Sequence, residues 1–216
     1  MGSYIIAIDG PAAAGKGTIA RAVAARLNLA YLDSGALYRA VAHAVLQTGG
    51  DPAKDADAER AAASLDIAAI DPVAIRAREV GAAASVVAAK AGVRAALLAT
   101  QRRFAQHPPA GKDGVVMDGR DIGTVICPDA DVKLFVTASD AARAHRRWLE
   151  LKAANPALTE DEVLADLVAR DKRDSERAAS PLAQADDATL LDTTNLSIEA
   201  AVQTALDIIG RRKLRF

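Results

Sequence analysis

Gly10-Pro11-Ala12-Ala13-Ala14-Gly15-Lys16-Gly17-Thr18 decides how the rest of the chain is read. Before it lies Tyr4-Ile5-Ile6-Ala7-Ile8-Asp9, an apolar run of strand length, and after it Ile19 to Leu27 reads as a helix. Strand, glycine-bounded loop, lysine and helix, in that order, form the setting in which a loop cradles nucleotide phosphates. The glycines let backbone N–H groups turn inward around an anion. The first helical turn adds unpaired N–H groups and the positive end of the helix dipole. Lys16 is placed to reach the β- and γ-phosphates. The loop departs from G-x-x-x-x-G-K-[ST] in one respect: Gly17 stands where the hydroxyl belongs and Thr18 follows it. The competing reading, a glycine-rich turn in some other α/β protein, does not account for both flanks.

Outward from this loop, 216 residues suit one α/β domain with small inserts and allow a sizeable core. Only 3% of residues are aromatic and alanine is abundant, which favours helices over an all-β sandwich. Acidic and basic residues balance at 28 against 27, so overall charge indicates neither a nucleic-acid polymer nor a membrane as partner. A single cysteine, Cys127, excludes an intramolecular disulfide and fits a reducing, cytoplasmic location. Strand-like residues from Tyr4 leave no room for a cleaved leader, and no apolar run approaches a membrane span.

Along the chain, Ala30-Tyr31-Leu32 reads as a short strand and Asp33 or Ser34 as the cap of a helix to Gln47. Ala53–Ser64 reads as a helix, Leu65–Asp71 is ambiguous, and Asp71-Pro72 opens a helical run to Lys90. A further helix covers Gly92–Gln106. Val115-Val116-Met117 is a second buried strand ending at Asp118, with Gly119–Thr124 as its exit loop. Val132–Val136 is a third strand. Ser139 or Asp140 caps a helix to Ala153, Thr159 caps another to about Ala178, Thr189–Asp192 is a last strand, and Ser197 caps a final helix to Ile209. Strands alternating with helices predict parallel βαβ units, whose ligands lie beyond the carboxyl ends of the strands. Asp9, Asp118 and the segment after Val136 gather at that edge.

Two rows of arginines follow. Arg143, Arg146 and Arg147 share one helical face, and Arg170, Arg173 and Arg177 repeat the spacing. Beside a phosphate loop such rows suggest closure over phosphates, because Arg binds them bidentately. The alternative is a solvated face paired to Asp171, Asp174 and Glu176. Asp118-Gly119-Arg120-Asp121-Ile122-Gly123 sets two carboxylates and a guanidinium between glycines at a strand's carboxyl end, more than an ordinary polar turn requires. His43, His107 and His145 have no metal-ligand spacing, and no nucleophile–histidine arrangement is legible. Arginines without a catalytic base fit transfer between phosphates: a phosphate monoester, with a second pKa of about 6, is already largely dianionic. An alcohol acceptor would need a base, for which Asp118 or Asp121 could serve. A GTP-binding switch is set aside: the only D-x-x-G is Asp207-Ile208-Ile209-Gly210 in the last helix, and N-K-x-D is absent.

The loop ending Gly15-Lys16-Gly17-Thr18 is similar to the variant phosphate loop of nucleoside monophosphate kinases. Leu32-Asp33-Ser34-Gly35-Ala36-Leu37-Tyr38-Arg39, Asp118–Thr124 and Arg170-Asp171-Lys172-Arg173-Asp174-Ser175-Glu176-Arg177 complete a resemblance, over nearly the whole chain, to the bacterial cytidylate kinase family. The resemblance implies an α/β, P-loop NTPase-type five-stranded parallel sheet flanked by helices. The single domain would comprise a core of about 1–50 and 92–216, an acceptor-binding insert of about 51–91 and a lid of about 150–162. It implies a monomer using ATP, Mg2+ and CMP or dCMP. Gly10, Pro11, Ala12, Ala13, Ala14, Gly15, Lys16, Gly17 and Thr18, with Arg146 and Arg147, would bind ATP, and Thr18 would help position the metal, partly through water. Ser34, Arg39, Arg120, Arg170, Asp174 and Arg177 match contacts to the acceptor's phosphate and sugar. Ser85, Arg94 and Asp121 match the residues that read cytosine. Lys16, Arg120 and Arg170 would be catalytic. One departure is that Leu65–Arg76 is too short for the small antiparallel sheet that bacterial members usually carry.

Overall fold

A computed structural model of the protein describes residues 3–66 and 69–213. Five parallel strands form one sheet: β1 (Tyr4–Asp9), β2 (Ala30–Asp33), β3 (Gly114–Gly119), β4 (Val132–Thr137) and β5 (Thr189–Asp192), in spatial order β2-β3-β1-β4-β5. β1 and β3 carry unbroken apolar runs because helices cover both faces of the sheet. In register, Asp9 lies opposite Gly119, and Asp33 opposite Asp118, so the polar residues that end each strand share one edge.

The helices are α1 (Lys16–Arg26), α2 (Ser34–Gln47), α3 (Asp55–Ala63), α4 (Arg78–Val87), α5 (Ala91–Gln106), α6 (Asp140–Leu151), α7 (Glu160–Glu176) and α8 (Ile198–Lys213). α1 and α8 bury Ile19, Val23, Val202 and Ile209 against Ile6, Ile8 and Leu134 on one face. On the other face Val115, Met117, Ile122 and Ala105 form a second cluster. Leu37 and Val41 of α2, Ala58 of α3, Val80 and Val87 of α4, and Val93 and Leu97 of α5 make a separate core for the helical layer above the sheet edge.

Most sequence-read boundaries hold within two or three residues, and the capping alternatives resolve. Asp33 caps α2 by accepting from Ala36 N–H at 3.0 Å, leaving Ser34 as its first helical residue. Ser139 caps α6, and Thr159 caps α7 in a reciprocal box with Glu162. Two expectations fail. The helical run from Pro72 to Lys90 is not continuous: Asp71 Oδ1 accepts from Val73 and Ala74 N–H at 2.8 and 3.2 Å, winding only a 3-10 turn, Ala74–Arg76. Ala77 is then extended, at φ −54° and ψ 151°, before α4 begins. The exit loop after Asp118 also proves partly helical, closing a π-helical turn over Ile122–Ile126. Among the described residues of 51–91 there is no strand; Ile67 and Ala68, in the ambiguous stretch, lie outside the described residues.

Candidate active site

The loop between β1 and α1 closes as its sequence requires. Gly10 has φ +142°, and a Cβ there would fall 1.9 Å from the Val136 carbonyl oxygen of β4, so only glycine fits. Ala13 and Gly15 both adopt left-handed backbone, at φ 58° and 91°, which turns successive N–H groups toward one concavity. Lys16 is buried at 6% exposure, and its Nζ donates to Pro11 O at 2.7 Å. Burial, and then the nearby Arg120, push the Lys16 ammonium down to about 7, against the attraction of Asp118. Asp118 accepts from Tyr31 Oη at 2.8 Å; burial and the like charge of Asp33 raise its pKa. Thr18 is exposed in the first turn of α1.

Beside the loop opens a narrow cleft beneath the helical layer. Ser34, Ser85, Arg94, Arg120, Asp121, Arg170, Asp174 and Arg177, drawn from five separate stretches of chain, all line it. At its inner end Arg94 Nη2 donates to Asp121 Oδ2, with both side chains almost wholly buried. Asp121 Oδ1 lies 3.8 Å from Arg177 Nη2. The Arg94 guanidinium sits 5.4 Å from the centroid of the Tyr38 ring. At the outer end Arg120 Nε donates to Asp174 Oδ2 at 3.0 Å, and Arg170 Nε is 3.8 Å from the same oxygen. Burial opposes ionisation of Asp174, but Arg120, Arg170 and Arg177 outweigh it and lower its pKa. Burial first, then the like charge of Arg120, bring Arg170 down to about 9, still a cation at neutral pH.

Arg94 Nε, Arg170 Nε and Arg177 Nη2 are buried donors without a hydrogen-bond partner among the described residues. Two of the three sit 3.8 Å from a carboxylate, ion-paired without a hydrogen bond, and a cleft ringed by such cations suits an anion or a polar ring. Ser85 Oγ accepts from Arg173 Nε at 3.2 Å. Arg39 donates to Ile75 O at 3.3 Å; burial, and then Arg147, lower its pKa, with Arg120 adding to the effect.

The first arginine row divides. Arg143, read from sequence as part of a phosphate-facing row, is 4% exposed and fully occupied. It donates to Ala12 O at 3.0 Å, Ala138 O at 3.2 Å, Asp171 and Asp140, tying the phosphate loop to α7. Arg146 donates to Thr193 Oγ1 and O at 3.0 and 2.6 Å, and Thr193 Oγ1 in turn donates to Ala14 O. Arg147 reaches Glu150 at 2.8 Å. Asp9 is a supporting residue whose partners the sequence does not reveal. Its oxygens accept from Ile122 and Gly123 N–H at 2.8 and 2.7 Å, while burial holds its pKa up at about 6. Cys127 is buried, its thiol raised to about 11 by burial, as suits a packing role.

The arrangement of loop, sheet and helical layer is shared widely. The shikimate kinase of Bacteroides thetaiotaomicron superposes over 96% of this chain and 99% of its own, with a TM-score of 0.51 at 12% identity. That shows a common fold and no more. Sequence comparison is far sharper. Curated proteins named cytidylate kinase from Bradyrhizobium sp. and Cereibacter sphaeroides are 55% and 57% identical, each aligned over at least 95% of both chains. The cytidylate kinase family profile spans residues 6–211. With the loop, the arginine-lined cleft and the buried Arg94–Asp121 pair all inside that span, the chain belongs to the cytidylate kinase family.

Proposed function

We infer that the protein transfers the γ-phosphoryl group of ATP to CMP or dCMP, giving CDP or dCDP and ADP. One observation carries the reading of the site: a loop built for donor phosphates opens beside a cleft with arginines at one end and a buried Arg–carboxylate pair at the other. The first end suits a phosphate monoester. The second suits a base with both donor and acceptor edges.

Lys16 and the loop N–H groups hold the donor phosphates. Arg39 and Arg120 hold the acceptor phosphate, and Arg170 spans the gap, so that two anions approach and the charge of the loose transition state is neutralised. Arg146 and Arg147 flank the donor. Ser34, Asp174 and Arg177 complete the contacts to acceptor sugar and phosphate. Asp121 accepts from the cytosine N4 amino group, while Arg94 and Ser85 donate to its ring acceptors. A magnesium ion fits here. The exposed Thr18 hydroxyl is a hard oxygen donor that would hold it, directly or through water, beside the donor phosphates. The bound ion would neutralise phosphate charge. Residues 51–91 act as the acceptor-binding part and 150–162 as a lid, in a cytoplasmic monomer.

ADP release over a panel of nucleoside monophosphates tests the reading. CMP and dCMP should be turned over well ahead of UMP, AMP and GMP. Equal rates with an alcohol acceptor would overturn it.

A further inference from the structure

The carboxylate assigned to base reading does not sit in a strand. Asp121 follows β3 at φ −147° and ψ 26°, immediately before the π-helical turn Ile122–Ile126. Inside the turn, Val125 and Ile126 N–H both donate to the Asp121 carbonyl, at 3.0 and 3.1 Å. The turn is gripped from outside at each end. At its start the two oxygens of Asp9, at the end of β1, accept from Ile122 and Gly123 N–H at 2.8 and 2.7 Å. At its finish Arg102 of α5 donates from Nη2 to Val125 O at 2.9 Å and from Nε to Ile126 O at 3.1 Å. Neither Asp9 nor Arg102 lines the cleft. Helix α5 also carries Arg94, the partner of Asp121, so one rigid element holds the base-facing arginine and anchors the turn that presents its carboxylate. π-helical turns are uncommon, and where they occur their placement is frequently tied to a site.

We propose that Asp9 and Arg102 are positioning residues for base choice: by holding the two ends of the turn Ile122–Ile126 they aim the Asp121 carboxylate, without touching the nucleotide. The proposal rests on Asp121 reading the base. Uracil presents an acceptor where cytosine presents its amino group, so it gains nothing from a well-aimed carboxylate. Loss of either anchor therefore penalises CMP selectively.

Steady-state kinetics on CMP and UMP test this with Arg102→Met, Arg102→Lys, Asp9→Asn, Asp121→Asn and the double variant Arg102→Met/Asp121→Asn. Arg102→Met and Asp9→Asn should each raise KM for CMP by about tenfold, as loss of charge-assisted hydrogen bonds predicts, and cut the CMP-to-UMP ratio of kcat/KM similarly. For Arg102→Met, KM for UMP and for ATP should stay within about twofold. Arg102→Lys, still able to reach one carbonyl, should recover part of the loss. The double variant should show the same ratio as Asp121→Asn alone, because nothing is left to position. Equal losses on CMP and UMP, or a double variant whose losses multiply, would assign Arg102 a purely structural role and overturn the proposal. If Asp121→Asn leaves the ratio unchanged, the base-reading assignment fails and the proposal falls with it. If Asp121→Asn lowers the ratio and Arg102→Met does not, base reading stands and the proposal alone is overturned. Should Asp9→Asn fail to fold, the exposed Arg102 remains decisive.

Discussion

Lys16 shows how much one buried charge must be balanced by its surroundings. Burial and Arg120 lower its pKa to about 7, so near that pH part of the population has a neutral amine. Triphosphate binding brings negative charge against it and raises the pKa again. The sign follows: between about pH 7 and 8, ATP binding should take up protons. Calorimetry in two buffers of different ionisation enthalpy reads this as a buffer-dependent binding heat, absent in Lys16→Met. The same variant should keep the wild-type melting profile and lose at least about a hundredfold in kcat, the scale expected for removing a preorganised charge. Wild-type turnover in a folded variant would remove Lys16 from the donor site. The acceptor residues should separate by role. Arg39→Ala weakens CMP and UMP use alike, since a phosphate carries no base information, whereas Asp121→Asn narrows the gap between them. Paired kcat/KM values on the two nucleotides distinguish the two outcomes.

At the scale of elements, α6 and α7 act as a brace for the phosphate loop. Arg143 links the Ala12 carbonyl to Asp171 of α7 from a nearly water-free position, while Ala12 itself packs with Ala144, Val163 and Leu167. Arg143→Met keeps the length but strands these acceptors and a carboxylate. Breaking a buried network of this kind costs about 3 kcal/mol, roughly 6–12 °C in a chain of this size. Calorimetry should find that drop together with a raised KM for ATP; a shift below about 2 °C would show that the brace is dispensable. α7 depends on its start as well. Thr159→Ala removes a reciprocal cap and should cost about 1 kcal/mol, with little effect on CMP selectivity.

For the whole molecule, the spatial order β2-β3-β1-β4-β5 puts the ends of β1 and β3 side by side, so the donor loop and the Arg120–Asp121 turn issue from adjacent strands. The helical layer, with its own core, stands over that edge, and α4 faces α7 through the Arg78–Asp166 ion pair at 2.6 Å. A kinase of this family must keep water from the phosphates until both substrates are seated, or it would hydrolyse ATP. ATP hydrolysis without a monophosphate should therefore be much slower than transfer, by at least about a hundredfold. An ADP-release assay with the acceptor omitted measures it, and equal rates would make the protein an ATPase.

What the sequence determined by itself was local or periodic. The run Tyr4–Asp9, the glycine spacing before Lys16, and the caps at Thr159 and Ser197 each act within a few residues, so the strand–loop–helix unit and the parallel sheet were legible. The residues proposed to bind the acceptor were read from three ordered motifs rather than from any one of them. Only tertiary structure decided how each arginine of the first row is engaged. Arg143, Arg146 and Arg147 share a helical face in sequence, yet Arg143 is consumed by four acceptors because α7 and the phosphate loop close around it. Asp71 caps a start at Pro72, but the turn it opens ends at Ala77, whose backbone is extended, so the run from Pro72 breaks there. The Asp9 grip on Ile122 and Gly123 joins positions more than a hundred residues apart. No local pattern encodes such a contact, because it exists only once β1 and β3 lie in register and a buried carboxylate must find its donors across the sheet.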